Sequence, residues 1–286
     1  MKIIDVVVVI PTPASHFDIL LDVIDSIEFY IKRSFLVMVI DDSGCGEVKR
    51  RLEEMPLKDH ISVICNDIPL GKKGGLFISF ARAYKYCVEN FSFKILIRMD
   101  TDALVTGYHL DVEAIEYFDK NPSTGIIGSY NIKSDGTHRK WWQWALVLIY
   151  ESNPLIYLLG KKRLWHQEIT NAKINGYHLG ENVFGGACIL SQKCISAMKK
   201  NGYLDLEPRT LLEEDVIFSL LAKASGYCFA DFGKPDQSMS LGMYTLPIPK
   251  EEIISKGKKL IHSVKKGLNG ETQQELRHYF KKFRSE

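Results

Sequence analysis

The sequence predicts an α/β domain built on a mostly parallel central sheet flanked by helices, with a helical C-terminal appendage. Three observations carry this. Residues 6–10 and 35–40 are apolar runs without polar alternation, as in strands covered on both faces. Such runs alternate with amphipathic stretches, the pattern of repeated βαβ units. Carboxylates gather just past the strands, at the edge where open parallel sheets bind ligands. With 286 residues, 45% hydrophobic and 25% charged, the chain is long enough for one large core. We therefore expect a main domain over residues 1–249, with a variable insertion at about 131–182, and a basic extension over 250–286.

In chain order, Val6-Val7-Val8-Val9-Ile10 reads as a central strand stopped by Pro11-Thr12-Pro13. A helix over 15–31 with Ser15 as its cap should follow, then a strand over 35–40 ending in Asp41-Asp42-Ser43-Gly44. A helix near 46–54, a strand near 61–65 and a helix near 75–89 continue the alternation. The loop before that last helix, Gly71-Lys72-Lys73-Gly74-Gly75, combines close backbone approach, a helix N-terminus and two lysines, so it either faces a phosphate or is a solvated turn. It is not a P-loop, and no G-x-G-x-x-G follows the first strand, which removes support for Rossmann dinucleotide binding.

The buried run at 93–97 ends in Arg98-Met99-Asp100-Thr101-Asp102. In an extended chain Asp100 and Asp102 point the same way, and two hard oxygen ligands at the mouth of a sheet suit Mg²⁺ or Mn²⁺ with positions left for diphosphate oxygens. A helix near 109–119 and a strand near 124–130 follow. Residues 141–159 are apolar, bear three indoles, and lie between His138-Arg139-Lys140 and Lys161-Lys162-Arg163. They form either a hairpin packed on the sheet or another subunit, or a segment resting in a membrane interface. The apolar stretch is too interrupted to span a bilayer.

Residues 164–182 read as a loop, and Gly185-Gly186 leads into a strand with a helix after Ser191. Glu213-Glu214-Asp215 opens an amphipathic helix over 216–224, and 227–232 reads as the last strand. Residues 250–267 and 271–284 read as two basic amphipathic helices. Residues 250–286 hold ten Lys and Arg against five acids, leaving the first 249 residues at −3. That acidic main body speaks against nucleic-acid binding. The six scattered cysteines show no zinc spacing, and nothing at the start resembles a secretion signal, so we expect reduced thiols in a cytoplasmic protein.

The ordered set Ile10-Pro11-Thr12, Asp41-Asp42-Ser43-Gly44, Asp100-Thr101-Asp102, Gly185-Gly186 and Glu214-Asp215 resembles the GT-A fold glycosyltransferases of family 2 over roughly residues 3–232. The resemblance implies an inverting transferase that takes a nucleotide-diphosphate sugar, a UDP-sugar above all, and a divalent cation, Mn²⁺ or Mg²⁺. It implies donor contacts from Pro11, Thr12, Asp41, Asp42, Lys73, Asp100, Gly185 and Gly186, a metal held by Asp100 and Asp102, and Asp215 as general base with Glu214 beside it. The acceptor and any homo-oligomer are left open.

A nucleotidyltransferase is the enzyme rival, but Pro11-Thr12-Pro13-Ala14-Ser15-His16 is not the Gly-rich basic loop it requires. A degenerate binding module is the non-enzymatic rival, and both the acid pair and the base are intact. Many relatives also place a His after the last core strand. Residues 238–244 offer none, and His262, among the tail lysines, is expected on a helix surface rather than as a ligand. The indoles and the basic tail together raise the expectation of contact with the inner face of a membrane.

Overall fold

The computed structural model describes residues 2–56, 59–158 and 165–284. A seven-stranded sheet runs, edge to edge, through Cys228–Asp231, Thr124–Gly128, Ala187–Ser191, Ile95–Met99, Val6–Thr12, Phe35–Asp41 and Ile61–Cys65. All neighbours are parallel except Ala187–Ser191, which pairs antiparallel on both sides. The central strand shows why its sequence lacks alternation. Val6, Val8 and Ile10 enter one core, Val7 and Val9 enter the other, and all five are fully buried.

The helices Phe17–Tyr30, Glu47–Glu53, Gly74–Asn90 and Leu110–Lys120 follow the expected alternation. Four local expectations are corrected. A single 3₁₀ turn, Ala14–His16, precedes the first long helix, so Ser15 is not its cap. Within the stretch read as a loop, His166–Ile174 is helical, because Trp165 and Ala172 are buried in the core and anchor it. Cys228–Asp231 is not the last strand, since Met239–Leu241 and Leu260–His262 follow. The fourth is that residues 250–267 are not one helix. Lys250–Ser255 is helical, Gly257 turns the chain at φ 60°, and Leu260–His262 is a strand.

This tail strand decides the shape of the site. Leu260–His262 lies between Met239–Leu241, parallel, and Leu104–Val105, antiparallel, with Leu260 opposite Val105 and Ile261 opposite Leu104. Leu260, Ile261 and Val264 are fully buried, so the apolar positions that also fit a helical period are consumed by strand packing. The antiparallel register carries the chain past Asp102, whose carbonyl accepts from Val264 N–H at 2.8 Å. The final helix, Gln273–Lys282, has a Thr272–Glu275 capping box and is tied back by Arg277 and Arg284, both at 2.6 Å from Asp22.

The tail cations are mostly occupied. Lys250 pairs with Glu271, Lys256 with Glu252 and Lys259 with Glu113. Buried Lys258 donates to the carbonyls of Lys234, Pro235 and Gln237. The 141–159 segment forms two helices, Trp142–Glu151 and Pro154–Leu158, while Leu159 and the Lys161-Lys162-Arg163 flank lie outside the described residues. Its indoles divide: Trp141 stacks on Tyr130 at 5.5 Å, Trp144 packs against the core, and Trp142 is exposed. Among the described residues no helix is long and apolar enough to cross a membrane.

Candidate active site

The strand Ile95–Met99 ends where Asp100 N–H donates to the Gly186 carbonyl at 2.9 Å. Ala103 N–H then closes a turn onto the Asp100 carbonyl at 3.0 Å. The two aspartates thus converge across a turn, not by alternation along a strand. Asp100, Asp102 and His262 each offer a ligand atom within 4.8 Å of the others.

His262 corrects the sequence expectation directly: it is 4% exposed and sits on a strand, not on a helix surface. Its Nδ1 lies 2.6 Å from the Gly242 carbonyl, and its Nε2 faces Asp102 Oδ2 at 3.1 Å. An Nδ1–H held by a carbonyl leaves Nε2 as the coordinating atom, the usual way a protein presents imidazole to a metal.

Asp102 Oδ2 also accepts from Ser263 Oγ at 2.7 Å and meets Lys265 Nζ at 3.0 Å. Burial pushes the Asp102 carboxyl up, but His262, Ser263 and Lys265 outweigh it and hold the group well below the usual carboxylate range. Asp100 behaves oppositely. Its Oδ1 is buried without a hydrogen-bond partner, and burial, aided by Asp102 and Glu214 against Arg98 and His262, pushes its pKa up to about 7. An orphaned carboxylate oxygen beside an imidazole nitrogen and a second carboxylate is the donor set a divalent cation would satisfy.

Gly185 and Gly186 join this cluster to the second acidic pair. A Cβ on Gly186 would lie 2.3 Å from the His262 ring, and one on Gly185 would lie 2.7 Å from the Asp215 Cβ. The glycines are therefore needed so that His262 and Asp215 can close on the same peptide from two sides. Asp215 Oδ2 accepts from Asn182 Nδ2 at 2.8 Å and Gly185 N–H at 3.1 Å, and Oδ1 from Val216 N–H at 2.7 Å. Burial and the neighbouring Glu214 push its pKa up to about 6, against Arg139 and Arg98. Glu214 itself is in a short ion pair with Arg98, a residue 1% exposed whose guanidinium lies 4.2 Å from the Phe80 ring centre. Both acids lie against Gly185 but differ in partner: Glu214 is tied to Arg98, and Asp215 to Asn182 and the Gly185 N–H.

Asp41 and Asp42 occupy the same rim. Thr12 pairs with Asp41 in register, beside Pro11, and Asp42 N–H donates to the Thr12 carbonyl at 3.1 Å. Asp41 accepts from Ser43 N–H and Lys49 N–H, both at 2.9 Å. Asp42 accepts from Leu70 N–H at 2.8 Å, Asn66 Nδ2 at 2.9 Å and Gly71 N–H at 3.3 Å. Lys73 heads the Gly74–Asn90 helix at φ 57°, and a Cβ on Gly74 or Gly75 would strike the carbonyl of Pro208 or Leu70. Those glycines serve backbone packing.

Sequence reasoning assigned no role to Arg98, Asn182 or Lys265, nor to His16, whose Nδ1 is 2.8 Å from Thr101 Oγ1. Only Arg98 gave a signal, as a lone cation in an apolar strand.

No family model and no curated protein sequence matches the chain. Among solved structures, its fold is similar to that of S. aureus TarS 1-349 in complex with UDP-GlcNAc, at 14% identity and a TM-score of 0.47, covering 82% of this chain and 56% of that one. The same S. aureus fragment in complex with UDP gives 15% identity and a TM-score of 0.47, with 82% and 58% covered. The mannosyltransferase Ktr4p from S. cerevisiae gives 11% identity and a TM-score of 0.44, with 80% and 68% covered. The chain thus spans less than two thirds of the TarS fragment. These likenesses are remote, and the chemistry rests on the residues themselves.

Proposed function

We propose that this chain is a divalent-cation-dependent glycosyltransferase that moves a sugar from a nucleotide-diphosphate donor to an acceptor hydroxyl with inversion. One observation carries the reading: an Asp100–Asp102–His262 ligand set, partly to fully buried and with an orphaned carboxylate oxygen, shares a glycine pair with Asp215. Asp100, Asp102 and His262 would hold the cation. Two carboxylates and an imidazole suit Mn²⁺ better than Mg²⁺, which keeps to oxygen donors. A bound cation of this kind neutralises the charge that develops on a leaving diphosphate.

The remaining work falls to the chain's own groups. Asp215 takes the proton of the acceptor hydroxyl as that oxygen attacks the anomeric carbon opposite the diphosphate, so a single displacement inverts the configuration. Asn182, Gly185 and Val216 fix the carboxylate by three hydrogen bonds, and a pKa raised to about 6 keeps it ionised yet basic at neutral pH. Glu214 acts as a positioning residue through Arg98. Lys265, with a side chain 54% exposed, is free to leave Asp102 for a phosphate oxygen. Pro11, Thr12, Asp41, Asp42 and Lys73 would border the nucleotide, the two aspartates by fixing the loops at 43–49 and 66–71.

The test is UDP release from a panel of UDP-sugars with Mn²⁺. Wild type is expected to turn over, and Asp215→Asn is expected to fall at least about 10²-fold while its donor affinity holds. Undiminished release by the variant would remove Asp215 as the base. Binding without release by wild type would leave only a nucleotide-binding module.

A further inference from the structure

The helix Trp142–Glu151 has two unlike faces. Inward, Leu148 and Glu151 are fully buried, and the Glu151 carboxylate accepts from Trp165 Nε1 at 2.9 Å, Thr210 Oγ1 at 2.6 Å and Leu211 N–H at 2.5 Å. Outward, Trp142, Leu146, Ile149 and Tyr150 fall at i, i+4, i+7 and i+8, a single stripe. Leu155 and Leu158 extend it onto the next helix. All six are between 48% and 76% exposed. A contiguous apolar stripe of this kind in water marks an interaction surface.

Charge identifies the occupant. From residue 136 to residue 204 the chain has three acids, Glu151, Glu168 and Glu181, and each is 3% exposed or less. The exposed ionisable residues bordering the stripe in sequence, His138 and Lys140 before it and His166 and Lys173 after it, are basic. The charge nearest the stripe in sequence is thus cationic, which suits an anionic surface. Two copies of it brought together would set cations against cations.

The face is also firmly mounted. A Cβ on Gly180 would lie 2.5 Å from Ala145 N, so the helix is seated on the Gly180 backbone, and Asn182 two residues on holds Asp215. Neither helix is long enough to span a bilayer. An amphipathic helix with an indole and a tyrosine on its apolar side and cations at its edge suits the plane of a membrane surface.

We infer that the stripe formed by Trp142, Leu146, Ile149, Tyr150, Leu155 and Leu158 is a docking surface for an anionic lipid bilayer. The tail lies outside the stripe: Lys250, Lys256 and Lys259 pair with acids of the fold, whereas Lys266, Lys281 and Lys282 stay exposed on the tail itself. No nucleotide is needed for the docking, so it stands or falls apart from the transfer reaction. Flotation of the full chain with phosphatidylcholine vesicles holding about a third phosphatidylglycerol tests it. Wild type should float at low salt, and Leu146→Gln with Ile149→Gln should float at least about tenfold less, with an unchanged melting temperature because both side chains are exposed. Lys140→Glu should weaken binding a few-fold, as should high salt. Failure of wild type to float, or flotation of the double variant at the wild-type level, overturns the inference. So does a lipid-free dimer in sedimentation that the same substitutions dissolve, which would assign the face to a second copy.

Discussion

Two aspartate pairs end strands on either side of the central strand, Asp41-Asp42 after Phe35–Asp41 and Asp100-Thr101-Asp102 after Ile95–Met99, and their surroundings differ in kind. The first pair is satisfied by local donors: the Asp41 oxygens meet two backbone N–H groups, and Asp42 meets two more and an asparagine amide. The second pair faces side chains brought from 160 or more residues away, and it keeps one buried oxygen with no partner. The first pair thus has acceptors filled by the local fold, and the second retains a buried one for a ligand. Sequence spacing does not distinguish the two.

Substitution distinguishes the roles of the two pairs. Asp41→Ala leaves two backbone donors short of their acceptor and should cost about 3 kcal/mol of stability in denaturant unfolding. Its affinity for Mn²⁺ should stay within a few-fold of wild type. A stable variant that has lost cation binding would instead place Asp41 in the site.

A smaller effect sharpens the contrast at the third acidic pair. Asp215 must be ionised to accept a proton, and its pKa is raised, so at saturating Mn²⁺, which would keep Asp100 ionised, kcat/KM should be level at neutral pH and fall as pH drops through about 6. Glu214→Gln removes a charge that raises that pKa and leaves Arg98 uncompensated. The acidic limb should therefore move to lower pH, by about one unit or less. A limb that moves up, or not at all, would mean that Glu214 does not act on Asp215.

Much of the sheet was legible in the sequence because strands buried on both faces leave unbroken apolar runs, as at Val6 to Ile10. The Asp100, Asp102, Gly185, Gly186 and Asp215 constellation was legible as a set of residues. Its assembly was not, since the turn at Asp100 and the packing of His262 and Asp215 onto the glycine pair are tertiary facts. His262 was misplaced because Leu260, Ile261 and Val264 satisfy a helical period as well as a strand, and only pairing with Leu104–Val105 decides between them. Composition could not show that Lys250, Lys256 and Lys259 pair with Glu271, Glu252 and Glu113, or that Lys258 is buried against carbonyls.

We propose that Asp100, Asp102 and His262 form a cation site that serves a diphosphate. Titration calorimetry of UDP into the wild-type chain, with Mn²⁺ and then with excess chelator, addresses it most directly, with Asp102→Asn in parallel. Binding should appear with Mn²⁺ and weaken by at least about a hundredfold both in chelator and in the variant. Equal UDP affinity with and without the cation, in both proteins, would contradict the account.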